Sequence, residues 1–108
     1  MDAFQGRVAV VTGGAGGIGS ALARAFAARG AKIVLADLDA ANLDVVARRL
    51  AADGARVLGV PTDVTKPESV EALAEATLSR FGAAHVVCNN AGVATFGQLF
   101  EEVTGDGR

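Results

Sequence analysis

Four apolar runs begin near Arg7, Lys32, Arg56 and His85, and between successive runs apolar residues return every three or four positions. A continuous apolar run bounded by turn residues fits a strand covered on both faces, while three-to-four spacing fits a helix with one buried face. RVAVV, KIVLA, RVLGV and HVVC therefore predict strands. The first intervening helix presents Ile18, Leu22 and Phe26, the second Leu43, Val46, Ala47 and Leu50, and the third Val70, Leu73, Ala74, Thr77 and Phe81. Gly30, Gly54 and Gly82 each fall just past a helical stretch, where a left-handed residue ends a helix. Asp39 is placed to cap the second helix, and Thr65 with Glu68 makes a capping box beside Pro67 for the third. The order β-α-β-α-β-α-β predicts an α/β fold, a parallel sheet of four strands with flanking helices. No linker interrupts it before residue 93, so residues 1–108 are expected to be one domain or part of one.

Composition narrows the partners. The ten basic residues are scattered among twelve acidic ones for a net charge of −2, and no basic run offers itself to nucleic acid. The N-terminus lacks a basic leader region, and no stretch approaches the roughly 18 apolar residues of a membrane helix, so a cytoplasmic protein is expected. The single Cys88 has no internal disulfide partner and reads as a buried, inert thiol. His85, the only histidine, stands at the start of a buried strand and reads as structural.

The candidate chemistry lies at strand ends, where ligands of open α/β sheets bind. TGGAGGIG at residues 12–19 joins the first strand to the first helix. Glycine permits a tight turn and close approach of backbone, and helix-start N–H groups with the positive dipole end suit a phosphate; the competing reading is a flexible turn. Asp37 ends the second strand, where a carboxylate accepts from ribose hydroxyls and repels a 2′-phosphate, or simply occupies a surface turn. Asp63 and Val64 follow the third strand, with an adenine contact or an ordinary turn as the alternatives. Asn89, Asn90, Ala91 and Gly92 close the fourth, either as a ligand wall or as an Asn-rich turn.

Taken together, TGGAGGIG, Asp37, the Asp63–Val64 pair and NNAG at 89–92 resemble, in order and spacing, the N-terminal half of the short-chain dehydrogenase/reductase family, over residues 6–100. The resemblance implies a Rossmann-type sheet with flanking helices, truncated after its fourth strand, with a nicotinamide dinucleotide across the strand ends, so that residues 1–108 would be an incomplete NAD(P)-binding domain. Gly13, Gly17, Ile18 and Gly19 would surround its pyrophosphate, Asp37 its adenosine ribose, and Asp63 and Val64 its adenine. Asn90, Ala91 and Gly92 would line the wall near its second ribose, with Asn89 bracing the sheet. Gly16 stands where the family often has serine or a basic residue, so it supplies no charge for a 2′-phosphate; with Asp37 this favours NAD over NADP. The family's catalytic serine, tyrosine and lysine have no counterparts, because the chain lacks tyrosine and its only lysines are Lys32 and Lys66. No catalytic residue and no metal site is assigned. The resemblance implies a longer parent oxidoreductase, a homo-oligomer acting on an alcohol or carbonyl substrate. A non-catalytic NAD(P)-binding module is the alternative. A methyltransferase is discounted because Val11 and Thr12 end the first strand where an acid is expected, and a phosphate-loop NTPase because no Lys-Ser or Lys-Thr follows the glycines. The fourth strand, at the sheet edge, is expected to leave the chain marginally stable.

Overall fold

In the computed structural model, which describes residues 3–90, the expected alternation is present: β1 (Val8–Thr12), α1 (Gly17–Ala28), β2 (Lys32–Asp37), α2 (Ala40–Ala52), β3 (Val57–Pro61), α3 (Pro67–Phe81) and β4 (Val86–Asn89). The strands form one parallel sheet in the order β3-β2-β1-β4. Val10 pairs with Val34 on one side and with Val87 on the other. The chain thus steps outward from β1 to β3, then returns to the opposite side of β1. That reversal opens a crevice at the carboxyl ends of β1 and β4, the position where such sheets take ligands.

Side chains of β1 alternate between two cores. Val8 and Val10 join Val34 and Ala36 beneath Val70, Leu73 and Ala74 of α3. Ala9 and Val11 join Ile33 and Leu35 beneath Ala23 of α1 and Leu43 and Leu50 of α2. Cover on both faces explains why β1 and β2 are near-continuous apolar runs. The same expectation fails for β3 and β4, whose residues are only half-buried or exposed because each strand lies at an edge of the described sheet.

Helix ends follow the sequence in four places of five. Gly30, Gly54 and Gly82 take φ of +87°, +96° and +80°, the left-handed conformation that glycine adopts without strain. Asp39 caps α2 through the N–H of Asn42 at 3.0 Å. The capping box at Thr65 and Glu68 does not form. Pro67 is the first helical residue, so Lys66 is the N-cap and makes no side-chain cap bond, while the Thr65 hydroxyl donates to Asp63 instead.

The inner face of α1 also differs from the periodic reading. Ile18 and Leu22 are 70% and 36% exposed, and Gly19 and Ala23 are the buried residues. The helix packs through small residues because it starts almost on top of the preceding turn: a Cβ built on Gly19 would fall 1.9 Å from Gly13 O. Phe26, lower on the helix, is half-buried in the second core, where it meets Phe4 edge-on at 5.1 Å between ring centroids.

Gly19→Ala must therefore push α1 off the turn. Its gain in helix propensity, up to about 1 kcal/mol, is outweighed by a backbone clash expected to cost about 3 kcal/mol. Chemical denaturation of the protein checks this, and a variant midpoint equal to the parent's would show that α1 does not seat against Gly13.

Candidate functional site

The loop from Gly13 to Gly16 carries the chain from β1 into α1 and is fixed along its length. The N–H of Gly14 donates to Ala36 O and that of Gly16 to Gly13 O, each at 3.1 Å. Gly13 has φ +65°, and a Cβ there would also meet Asn90 Nδ2 at 3.1 Å. A Cβ on Gly14 would lie 2.8 Å from Leu35 Cδ2 and 3.1 Å from Val11 O, so the loop is pressed onto β1 and β2. Gly17 differs in kind: a Cβ there meets nothing within 4 Å. The fold demands glycine at 13, 14 and 19, but nothing in the described protein demands it at 17.

Gly17, Ile18 and Gly19 are the first three residues of α1 after its N-cap, Gly16. Their N–H groups have no acceptor within the helix and sit at the positive end of its dipole. Open space over Gly17, beside unfilled donors, fits a phosphate group brought against bare backbone.

Across the loop, Asp37 ends β2 half-buried. Its carboxylate accepts the N–H of Ala15 through Oδ2 and that of Asp39 through Oδ1, both at 3.0 Å. Each oxygen keeps further acceptor capacity, so Asp37 both anchors the loop and remains able to accept from a ligand hydroxyl. Asp63 lies beyond the end of β3. Its N–H donates to Ser69 Oγ at 2.8 Å, and its Oδ1 accepts the Thr65 hydroxyl and, at 3.0 Å, the Thr65 N–H. The Thr65 hydroxyl first, and its N–H second, hold the Asp63 carboxyl below the usual carboxylate value, against a small opposing effect of desolvation.

These residues share a cleft of about 230 Å³ whose walls include Gly13, Asp37, Leu38, Asp63, Val64 and Thr65. Four expected site residues, Gly13, Asp37, Asp63 and Val64, thus come together, and Asn90 stands against Gly13 just past β4. Gly16, Gly17, Ile18 and Gly19 form the adjoining helix start. Ala91 and Gly92 lie outside the described residues. A separate hollow of about 250 Å³ between α1 and α2, bounded by Arg24, Arg49 and Asp53, contains none of the strand-end residues.

Asn89 pairs with Thr12 across β1 and β4. Thr12 Oγ1, fully buried, lies 3.3 Å from Cys88 O and 3.2 Å from Asn89 Oδ1, a shared donation that ties the two strand ends together. His85 accepts the N–H of Val8 on its Nδ1 at 2.9 Å and closes the opposite end of the same strand pair. Cys88 is half-buried, and burial pushes its thiol up, away from the thiolate that nucleophilic chemistry needs. No helix of the described residues is long and apolar enough to cross a membrane. The periodic reading missed Ala15 and Asn42, whose peptide and side chain tie the loop to α2; the available signal was Asn42 three residues after the cap at Asp39.

Comparison with known proteins agrees with this fold. The family model for short chain dehydrogenase matches residues 7–106. The chain is 53% identical over 89 residues to a 1-deoxy-11-beta-hydroxypentalenate dehydrogenase of Streptomyces arenae, covering 82% of this chain and 32% of that protein. It is 50% identical over 93 residues to a cis-4-hydroxycyclohexanecarboxylate dehydrogenase of Sinomonas cyclohexanicum, covering 86% of this chain and 37% of that protein. The chain therefore spans about a third of the length of these curated relatives. Among solved structures, a short chain dehydrogenase/reductase of Burkholderia phymatum in complex with NAD superposes with a TM-score of 0.78 at 46% identity, over 81% of this chain and 31% of that one. A metagenomic short-chain oxidoreductase in complex with NADP gives 0.85 at 28% identity, over 94% and 56%.

The hydrogen bonds at Asp63 have a pH consequence. A carboxyl lowered in the folded state contributes stability that is present above its unfolded value and is lost as pH falls through its lowered folded value. Thr65→Val removes the hydroxyl and should raise the Asp63 carboxyl toward its ordinary value, which a carboxyl-carbon NMR titration reads directly. An unchanged titration would show that the Thr65 hydroxyl does not hold Asp63.

Proposed function

The chain belongs to the short-chain dehydrogenase family, and from that premise we propose that residues 1–108 bind the nicotinamide dinucleotide of an oxidoreductase that interconverts an alcohol and a carbonyl compound, with NAD as the cofactor. The observation that carries this reading is the open space over Gly17 beside the first donors of α1, with Asp37 across the same loop. In this reading the N–H groups of Gly17, Ile18 and Gly19 hold the diphosphate, and Gly13 and Gly16 keep its approach free of side chains. Asp37 accepts from the adenosine ribose hydroxyls and repels a 2′-phosphate. Asp63 and Val64 border the adenine, and Asn90, with Ala91 and Gly92 beyond it, lines the wall toward the second ribose. Bound there, the nicotinamide ring supplies the hydride acceptor or donor. The named relatives are dehydrogenases, which favours an oxidoreductase over a non-catalytic binding module. The preference for NAD rests on Asp37 and on the uncharged Gly16, and the NAD-bound neighbour is more similar in sequence than the NADP-bound one.

Calorimetric titration of the protein with both dinucleotides tests this. NAD should bind more tightly. Asp37→Ala should lose a charged hydrogen bond worth about 1.5–3 kcal/mol of NAD affinity and narrow the preference over NADP. Gly17→Ala should keep or raise the unfolding midpoint, through its gain in helix propensity, while weakening both dinucleotides, since its methyl enters ligand space and not protein. Tighter binding of NADP by the unmutated protein would overturn the cofactor assignment.

A second expected outcome concerns turnover. Proton transfer to or from the reacting oxygen by a positioned side chain contributes about 10²–10⁴-fold, and these 108 residues carry no tyrosine to do it. Residues 1–108 alone should give no change in reduced-nicotinamide absorbance above the protein-free control with a panel of secondary alcohols. A reproducible rate abolished by Gly17→Trp would place an unrecognised acid/base group within this chain.

A further inference from the structure

Four hydrogen bonds close a ring beside the cleft. The N–H of Ala15 donates to Asp37 Oδ2 at 3.0 Å, and the carbonyl oxygen of Ala15 accepts from Asn42 Nδ2 at 2.8 Å. The N–H of Asn42 donates to Asp39 Oδ1 at 3.0 Å, and the N–H of Asp39 returns to Asp37 Oδ1 at 3.0 Å. Both polar groups of Ala15 are thus gripped by side chains from the corner between β2 and α2, one grip by Asp37 and the other by Asn42. Ala15 is also the centre of the loop, since Gly14 on one side is pinned to Ala36 O and Gly16 on the other to Gly13 O.

Resting on the cofactor reading above, we propose that Asn42 is a positioning residue for the dinucleotide. Its amide fixes the Ala15 carbonyl, and through the two following peptides it fixes the direction in which the N–H groups of Gly17, Ile18 and Gly19 point. It has no carboxylate or ring with which to read the adenosine end. Asp37 keeps both of its own backbone donors when the Asn42 amide is removed, so its carboxylate stays aimed. The diphosphate is common to NAD and NADP, whereas Asp37 faces the group in which they differ. Loss of Asn42 therefore weakens both cofactors by one factor, and loss of Asp37 changes their ratio. This distinguishes a holder of the loop from a reader of the ribose.

Asn42→Ala tests the role without adding charge, and Asn42→Leu repeats the test with a side chain of similar size. Residue 42 is exposed on the first turn of α2, and both replacements are better helix formers than asparagine, so α2 is retained. In the cofactor-free protein, amide hydrogen exchange at Gly16, whose N–H shares a peptide group with the Ala15 carbonyl, should quicken in both variants while the unfolding midpoint stays put. Calorimetric affinities for NAD and NADP should each fall about three- to tenfold, the range of one neutral hydrogen bond, with their ratio preserved. Unchanged exchange at the loop, unchanged affinities, or a loss confined to one dinucleotide would overturn the role. An unmutated protein that bound neither dinucleotide would refute the cofactor reading and this role with it. In that event quickened exchange in the variants would show that the loop clamp itself exists, so the two failures can be told apart.

Discussion

Everything at the strand ends depends on how closely α1 approaches the turn that precedes it. The Cα of Gly19 sits where any side chain would collide with Gly13 O, and Gly14 leaves no room for one against Leu35 and Val11. Two bare residues allow the helix to begin directly over the carboxyl end of β1. A helix that began one side chain farther away would still pack on the sheet, but its first N–H groups would no longer stand at the mouth of the crevice. The exposure of Ile18 and Leu22 has the same origin, because a helix seated through Gly19 and Ala23 turns its larger residues outward.

The close approach is supported from beneath by β1, which is buried along its whole length and lies between β2 and β4. With valine and alanine alternating between two cores, β1 cannot shift by one residue without exchanging its faces. Thr12 and Asn89 fix the β1–β4 pair at its carboxyl end, and His85 with Val8 fixes the other. The strand ends are therefore held at a set height, and the loops that leave them inherit that precision.

Sequence made the architecture legible because each rule it used was local and was enforced by packing. Apolar runs, glycines past each helix and the cap at Asp39 need only a few neighbouring residues to be recognised, and all appear where expected. The misread features turn on which of several competing partners wins, and only the folded chain decides that. Periodicity identified a stripe at Ile18 and Leu22, but a helix can also pack by its smallest residues, and only the position of Gly13 O decides which face turns inward. Thr65 and Glu68 have the spacing of a capping box, yet the Asp63 carboxylate competes for the Thr65 hydroxyl and Pro67 moves the helix start one residue on. Asp37 was legible as a carboxylate at a strand end. Its second use, as acceptor for the Ala15 N–H, depends on a loop 22 residues earlier in the chain.

That double use also fixes how the polar groups of the cleft are oriented. The cleft presents the carboxylates of Asp37 and Asp63, and the adjoining start of α1 presents donors with no acceptor in the helix. Left free, two such carboxylates would rotate, and the one at Asp37 would be drawn toward the donors of α1. Instead, backbone N–H groups satisfy part of each: Ala15 and Asp39 at Asp37, and Thr65 at Asp63. Charge-assisted bonds to backbone are strong and hold the carboxylates in one orientation. Carboxylate acceptors in the cleft and helix-start donors beside it consequently keep separate places, a separation that suits a molecule anionic at its middle and rich in hydroxyl and amino donors at one end. The orientation of both carboxylates is set by the protein's own hydrogen bonds, and acceptors held in this way lose less to ordering when they are used.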